Sequence, residues 1–432
     1  MSSVPSVDEV AHRRSGGARN DTFVVGLRCR ACGHEHPQVA SHLCELCFGP
    51  LEVVYDYEAV RAVISRERIE AGPPTLWRYS DLLPVRDGDV VSLGEGFTPL
   101  IHARNLGGEL GLHNLHLKDD TQNPTNSFKD RVVSVAINWA LRNGFTTIAC
   151  ASTGNLANAV AAYAARAGVR AVVFIPADLE SQKIATTAVF GATIVPVAGN
   201  YDDVNRLCTE LADDLDWGFC NINLRPYYSE GSKTLTFETA EQLGWRLPDE
   251  IVIPVASGCQ FVKHRKAAAE LIDLELVTDA TVPRFTGAQA LGCSPVASAF
   301  ARGTDIVEPV RPNTIARSIA IGNPSDGGDV VRIARQTGGV VESVTEEEIV
   351  EGIELLAATE GIFTETAGGV TVAVLRKLAR QGRWEGRETI AAYITGHGLK
   401  TLDAVSGRHA VGQPIDPQRR SVKQRLAELG LA

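Results

Sequence analysis

The stretch of sequence that decides the fold is residues 147–176, which read TIACASTGNLANAVAAYAARAGVRAVVFIP. The apolar run Thr147–Ala151 has the length of a buried strand, and the Ala-rich segment Asn155–Ala167 has the length and composition of a helix. A second strand-sized apolar run follows at Ala171–Ile175. Two buried strands joined by one helix predict a parallel strand–helix–strand unit.

The same alternation continues along the chain from about residue 113 onward. Further strands are predicted at Thr193–Val197, Glu250–Val255, Arg284–Gln289 and Thr389–Thr395. Further helices are predicted at Lys129–Asn143, Ser181–Phe190, Tyr201–Leu215 and Gly231–Leu243. This pattern predicts an α/β protein with open, parallel-rich sheets that helices cover on both faces. Ligands of such folds bind at the carboxyl ends of the strands, so we expect the chemistry in the loops that follow the strands.

Composition excludes several classes of protein. The chain has 432 residues, enough for two or three domains. Its formal net charge of −10 is unfavourable for non-specific binding of nucleic acid or of an anionic membrane, because both bind basic surfaces. Residues 1–21 lack the apolar core of a secretory signal and predict a disordered tail. Nine cysteines, an odd number, do not indicate a secreted disulfide framework, so a reduced cytoplasm is favoured.

Four of the cysteines form a cluster in the sequence. Cys29 and Cys32 make one CxxC pair, and Cys44 and Cys47 make a second pair shortly after it. One tight turn directs both sulfurs of a pair at a single point, and two pairs complete a tetrahedral set of four thiolates. Because no coordination position is left open, this pattern predicts a structural Zn²⁺ in a zinc ribbon rather than a catalytic metal.

Three loops carry groups that suit a phosphorylated carbonyl cofactor. Residues 123–131, NPTNSFKDR, open a helix with Lys129, where the helix N-terminus and partial burial disfavour the protonated amine. Residues 151–158, ASTGNLAN, offer hydroxyl, amide and backbone N–H groups, and residues 255–260, VASGCQ, offer converging N–H groups to a phosphate. Each loop alone has an ordinary interpretation, as a solvated lysine, an N-cap or a tight turn. Together they predict a pyridoxal phosphate site.

The chain also resembles the threonine synthase family of pyridoxal-phosphate enzymes with fold type II. The resemblance extends from the four cysteines to about Val405. It includes the lysine and asparagine loops and, in order, the motifs LGEGFTPL (93–100), LKDD (117–120), GAQALGCSP (287–295), SIAIGNP (318–324), EGIFTETAGG (360–369) and TGHGLK (395–400).

This resemblance implies two parallel-rich αβα open-sheet domains preceded by the four-cysteine zinc ribbon. The implied boundaries are a tail at 1–21, the zinc ribbon at 22–57, a large cofactor-binding domain at 58–112 and 236–415, a small domain at 113–235, and a C-terminal helix at 416–432. A homodimer is implied as well.

The resemblance also assigns roles to individual residues. Lys129, next to Phe128, would form the covalent bond to the cofactor and move the protons at Cα and Cβ of the substrate. Asn155 would contact the 3′-oxygen of the cofactor. Thr395 would lie at the pyridine nitrogen, where a neutral hydroxyl leaves the ring a weaker electron sink and so favours elimination and replacement. The cofactor phosphate would be surrounded by Ser257, Gly258, Cys259 and Gln260.

The implied reaction converts O-phospho-L-homoserine and water to L-threonine and phosphate. This reaction requires a second phosphate pocket for the substrate, with the candidates Thr98, Ser127, Arg131, Ser152, Thr153 and Arg225. Arginine suits bidentate capture of a phosphate, although an ion pair is an equally good interpretation of Arg131 or Arg225 alone.

Several departures from the family pattern lie near the expected pocket and keep two alternatives open. Asn126 stands where a glycine is usual, Cys259–Gln260 replace smaller residues, and Gly327–Gly328 replace aromatic ones. One alternative is a paralogue that performs β-replacement or dehydration, similar to cysteate synthase or threonine dehydratase. The other is a zinc-ribbon scaffold without catalysis, against which the presence of Lys129 argues.

Overall fold

The computed structural model describes residues 22–86, 88–152, 154–177, 181–199, 201–408 and 412–431, so the predicted tail at 1–21 lies outside it. The strands are β1 (Val24–Cys29), β2 (Glu35–His36), β3 (Leu51–Tyr55), β4 (Leu100–His102), β5 (Leu115–Asp119), β6 (Thr147–Ala151), β7 (Arg170–Pro176), β8 (Thr193–Val197), β9 (Gly218–Phe219), β10 (Glu250–Pro254), β11 (Arg284–Ala290), β12 (Val341–Val344) and β13 (Ile390–Ile394).

The α-helices alternate with these strands over most of the chain. They are α1 (Tyr57–Arg61), α2 (Arg66–Glu70), α3 (Arg104–Leu110), α4 (Lys129–Arg142), α5 (Asn155–Ala167), α6 (Ser181–Ala188), α7 (Tyr201–Asp214), α8 (Arg225–Glu230), α9 (Lys233–Gln242), α10 (Cys259–Asp273), α11 (Pro295–Ala301), α12 (Gly327–Thr337), α13 (Glu346–Glu360), α14 (Thr366–Arg380) and α15 (Arg419–Glu428). Every strand and helix predicted from the sequence is present, with its ends moved by a few residues. No helix within the described ranges is long and apolar enough to cross a membrane.

A small antiparallel sheet carries the four clustered cysteines. Its strand order is β2-β1-β3, and its buried side chains alternate with more exposed ones along β3. This alternation is typical of a sheet that packs one face on a core. Cys29 ends β1, and the other three cysteines follow in the turns around β2.

A four-stranded parallel sheet contains the strand–helix–strand unit of residues 147–176. Its order is β8-β7-β6-β9, and β6 is buried along its whole length. Helix α5 connects β6 to β7, as predicted. Cys150, Cys208 and Cys220 are buried around this sheet, which agrees with the ordinary role of a free cysteine as a small buried apolar residue.

The largest sheet has six strands in the order β12-β11-β10-β13-β5-β4 and is parallel except for β4. The predicted boundary at residue 113 assigned Leu115–Asp119 to the small domain, but this strand, β5, pairs with β13 in the large sheet. The apolar pattern of β5 indicates a strand without indicating its partner, which lies far away in the sequence. The correction moves the start of the smaller unit beyond Asp119.

The predicted C-terminal helix is present as α15 and contains no buried residue. Its apolar side chain Val422 is 40% exposed, and Leu429, just after the helix, is 60% exposed. This helix therefore adds little to the cores of the three sheets.

Candidate active site

Lys129 is the first residue of α4, and its amine is held among aromatic groups. Its Nζ atom donates a hydrogen bond to the hydroxyl of Tyr228 at 2.9 Å and lies 4.5 Å from the ring centroid of Phe128. Burial lowers the pKa of Lys129 to about 8, while Cys259 and Glu365 oppose this shift. Near neutral pH, the fraction of Lys129 that is neutral and nucleophilic is therefore larger than the fraction for an exposed lysine.

The loop before Lys129 turns sharply at Asn126. This residue has φ of 62°, in the left-handed region, which asparagine tolerates better than most residues. Its amide group does not enter the site, because Nδ2 donates to the carbonyl of Thr121 at 3.4 Å. The asparagine at the usual glycine position thus keeps the turn intact.

The end of β13 lies directly beside this loop. The N–H of Phe128 donates to the carbonyl of Thr395 at 2.9 Å, and the N–H of His397 donates to the carbonyl of Asn126 at 3.0 Å. The two segments therefore run side by side, and the predicted residues Thr395 and Lys129 are brought together although 266 positions separate them in the chain.

Asn155, which follows β6 of the four-stranded sheet, contacts the segment around Glu365. It begins α5, and its Nδ2 atom donates to both carboxylate oxygens of Glu365, at 3.1 and 2.9 Å. The N–H of Glu365 donates to the carbonyl of Gly396 at 2.9 Å. These bonds join the carboxyl end of β6 to the segment that follows β13.

Two charged residues near Lys129 and Asn155, namely Glu365 and Lys400, were not identified from the sequence. Burial raises the pKa of the Glu365 carboxyl, and the hydrogen bond from Asn155 opposes the rise. Burial lowers the pKa of Lys400, and its Nζ atom is buried without a hydrogen-bond partner within the described ranges. Glu365 lies in the motif EGIFTETAGG and Lys400 in the motif TGHGLK, both of which carry the family resemblance. Their place in these motifs is the sequence signal that could have identified them.

The predicted phosphate loop connects β10 to α10. Gly258 has φ of 91°, and a Cβ atom there would lie 2.8 Å from a methyl group of Val330, so the loop requires glycine. Cys259 and Gln260 are the first two residues of α10. Burial raises the pKa of the Cys259 thiol, which favours its neutral form.

The residues at this site fit pyridoxal phosphate. The Nε2 atom of Gln260 and the hydroxyl of Ser127 are buried without a hydrogen-bond partner in the part of the chain that the structure describes. Such groups are stable when a ligand satisfies them. With the amine of Lys129 and the N–H groups at the start of α10, they offer an imine-forming group and a cradle for a phosphate.

The structure corrects the interpretation of Arg131 and Thr98 as substrate ligands. Arg131 is fully buried, and all its N–H groups are used by Asp120, Glu238, Thr234 and Thr98. The hydroxyl of Thr98 donates in turn to Asp120 at 2.7 Å. A guanidinium without a free donor cannot capture a phosphate, so both residues have a structural role.

The other candidates for the substrate phosphate differ in the partners that their side chains already have. Arg225 forms an ion pair with Asp326 and donates to Ser325 at 2.5 Å, as the alternative interpretation of this residue predicted. The hydroxyl of Ser152 accepts a hydrogen bond from Gly154 at 3.4 Å. Thr153 lies outside the described residues.

The four clustered cysteines also come together in space. Their sulfur atoms all lie within 4.8 Å of one another, with 3.4 Å between Cys29 and Cys47 and 3.7 Å between Cys32 and Cys44. These separations suit four thiolates around one tetrahedral ion.

Comparison with known proteins agrees with this geometry. The family model "Pyridoxal-phosphate dependent enzyme" matches residues 91–396. The chain is 37% identical to a threonine synthase of Methanocaldococcus jannaschii, over 93% of this chain and 99% of the relative. It is 37% identical to a threonine synthase of Methanosarcina acetivorans, over 92% and 98%, and 38% identical to one of Mycobacterium tuberculosis, over 80% and 94%.

Solved structures share the fold at low sequence identity. Diaminopropionate ammonia lyase from Escherichia coli superposes with a TM-score of 0.62 at 18% identity, over 81% of this chain and 94% of that one. L-Serine ammonia-lyase from Rhizomucor miehei gives 0.59 at 19% identity, over 71% and 95%. The predicted type II fold is thus confirmed. The chain belongs to the family of pyridoxal-phosphate dependent enzymes.

Proposed function

We propose that this enzyme is a threonine synthase, which converts O-phospho-L-homoserine and water to L-threonine and inorganic phosphate. The observation that carries the proposal is the similarity to named threonine synthases, which at 37% identity extends over 99% of one relative. The site geometry supports the chemistry that such a reaction needs.

Pyridoxal phosphate would be held by Lys129, Asn155, Thr395 and the loop at Ser257–Gln260, and it would withdraw electrons from the carbon atoms of the bound substrate. Lys129 is the group that moves protons at Cα and Cβ, because its amine has a pKa of about 8 and is neutral in part at physiological pH. Tyr228 holds this amine in place through its hydroxyl. The neutral hydroxyl of Thr395 does not favour a proton on the ring nitrogen, which suits elimination.

Ser127, Ser152 and Gln260 remain our candidates for the phosphate groups. Ser127 and Gln260 carry buried donors without a partner among the described residues, and such donors are available to anionic oxygens. Arg225 stays a prediction for the substrate phosphate, although its pairing with Asp326 means that a substrate would have to compete with a carboxylate.

We also propose that Cys29, Cys32, Cys44 and Cys47 hold a structural Zn²⁺. The support is the closeness of the four sulfur atoms and the exclusively thiol donor set, which leaves no position for substrate. A homodimer and a cytoplasmic location remain predictions from the family resemblance and the composition.

The test is the release of inorganic phosphate from O-phospho-L-homoserine by the purified protein with pyridoxal phosphate, with threonine measured alongside. Equal amounts of phosphate and threonine are expected, and Lys129→Ala is expected to abolish both and to remove the visible absorbance of the bound cofactor. A cofactor-loaded protein that releases neither product would instead favour the paralogue, and O-phosphoserine with sulfite, then threonine and serine, would be the next substrates.

A further inference from the structure

The four-cysteine segment contacts the rest of the chain next to the loop predicted to bind the cofactor phosphate. Arg30 lies between Cys29 and Cys32, and its guanidinium forms an ion pair with Asp326 and a second one, at 3.0 Å, with Asp329. The side chain of Arg30 is 18% exposed and that of Asp326 only 2%. Salt therefore screens this contact little, and the loss of one partner is costly.

Asp326 in turn contacts the loop itself. Its backbone N–H donates to the carbonyl of Ser257 at 2.9 Å. A Cβ atom on Gly258 would lie 3.0 Å from the Cβ atom of Asp326, so the two segments are already closely packed. Arg30 and Arg225 bind different oxygens of the same carboxylate. A displacement of Asp326 therefore has to displace the loop as well.

The space between the segment and the loop is nearly filled. A cavity of about 20 Å³, lined by Arg30, Arg225, Cys259 and Asp326 among others, is what remains there. This volume holds about one water molecule. A change at Arg30 is thus transmitted to its neighbours instead of being absorbed by free space.

A second set of contacts holds the body of the helix that begins at this loop. Glu52, in β3, pairs with Lys263 of α10 at 2.7 Å. Lys266, also in α10, donates to the carbonyl of Val53 at 2.6 Å. The sheet that carries the cysteines is therefore attached to α10 at Lys263 and Lys266 and, through Arg30, to the segment beside the first turn of this helix.

We propose that Arg30 is a positioning residue for the cofactor-phosphate loop, through which the four-cysteine segment determines how tightly the protein binds pyridoxal phosphate. Without Arg30, the buried carboxylate of Asp326 keeps Arg225 as its remaining guanidinium partner, and the backbone that supports Ser257 and Gly258 loses an anchor. The proposal depends on membership of the cofactor family and not on the identity of the substrate.

The test compares Arg30→Met with Arg28→Met in the full-length protein. Arg28 lies two residues earlier, in β1, is 52% exposed and pairs with Glu35 of the same small sheet, so it is a matched control. Cofactor-free enzyme is titrated with pyridoxal phosphate, and the Kd is read from the absorbance of the bound cofactor. We expect Arg30→Met to raise the Kd about tenfold or more, and Arg28→Met to change it less than about twofold.

A second readout separates positioning from general loss of structure. The ³¹P resonance of the bound cofactor phosphate is expected to shift or broaden in Arg30→Met and to stay unchanged in Arg28→Met. Arg30→Lys, which keeps the charge but not the planar fork, is expected to restore part of the affinity. An unchanged Kd in Arg30→Met, or an equal rise in Arg28→Met, overturns the proposal.

If Arg30→Met does not fold, Arg30→Lys takes its place in the same comparison. Its Kd is expected to rise about threefold, because one ammonium group cannot reproduce the two ion pairs of the guanidinium. An unchanged Kd for a folded Arg30→Lys then overturns the proposal. Because no substrate is used, these outcomes are independent of whether the enzyme makes threonine.

Discussion

At the scale of single residues, the site depends on what surrounds the amine of Lys129. The hydroxyl of Tyr228 accepts its hydrogen bond, and the ring of Phe128 covers it. Burial lowers the pKa of this lysine, whereas an acceptor for the ammonium N–H favours the charged form. The balance of these two effects decides how much neutral amine is present at the pH of the reaction.

Tyr228→Phe removes that acceptor and is expected to lower the pKa of Lys129 further, because the charged amine loses a hydrogen bond. The measurement is the rate at which cofactor-free enzyme combines covalently with pyridoxal phosphate, which rises with pH as the amine loses its proton. The midpoint of this pH profile is expected near 8 in the wild type and lower in the variant. We also expect turnover to fall about tenfold or more, since the amine is less well held. An unchanged midpoint would contradict this role of Tyr228.

Lys129→Met is expected to stabilise the cofactor-free protein at pH 7 by about 1–3 kcal/mol, because it removes a charge that is costly to bury. The gain is full below pH 8, the lowered pKa of Lys129, and disappears as the pH approaches 10.5, because between these values only the unfolded chain binds the proton. Urea unfolding at several pH values measures this difference. A gain that does not change over this range would argue against the lowered pKa.

At the scale of elements, helix α4 combines the proposed catalytic residue Lys129 with the structural residue Arg131, two positions further along. Lys129 begins the helix, and Arg131 joins it to the segment after β5 through Asp120 and to α9 through Glu238. Lys118 of β5 pairs with Glu238 as well, at 2.7 Å. This buried ion-pair network holds the lysine loop against the large sheet.

Arg131→Met is expected to destabilise the protein by about 3–5 kcal/mol, because Asp120 and Glu238 then keep buried charges with fewer partners. The free energy of unfolding in urea measures the loss. The control is Arg206→Met, whose ion pair with Glu210 at 3.0 Å is exposed, and its cost is expected to stay below about 1 kcal/mol. A normal stability with a raised KM for substrate would instead favour the original interpretation of Arg131 as a substrate ligand.

At the scale of the whole molecule, the metal proposed at the four cysteines would be coupled to the proposed cofactor site through Arg30. Removal of the metal by a chelator is expected to lower the Tm of the protein and to raise the Kd for pyridoxal phosphate. In Arg30→Met, chelation is expected to lower the Tm while it changes the Kd much less, because the link to Asp326 is already absent. Chelation effects on the Kd that are equal in both proteins would show that the coupling takes another route.

Much of the fold could be predicted because its signals are local. Buried strands such as β6 are short apolar runs, and helices such as α5 are Ala-rich segments of sufficient length, so their placement needs no knowledge of distant residues. The partner of β5 could not be predicted in this way, because its pairing with β13 joins segments that lie far apart in the chain. The candidate lysine, Lys129, could be proposed from the sequence because it belongs to a specific loop motif.

The sequence by itself determined the order of strands and helices, the four-thiol cluster, and Lys129, Asn155 and Thr395 as candidates for the cofactor, since each is marked by its own neighbours in the chain. Tertiary structure alone decided what the arginines do. Arg131 pairs with Glu238 as well as with the nearer Asp120, and Arg225 pairs with Asp326. Glu238 and Asp326 each lie about 100 residues further along the chain than the arginine they bind. The charge state and partners of a buried group depend on which distant side chains the fold brings next to it, and a local motif does not contain that information.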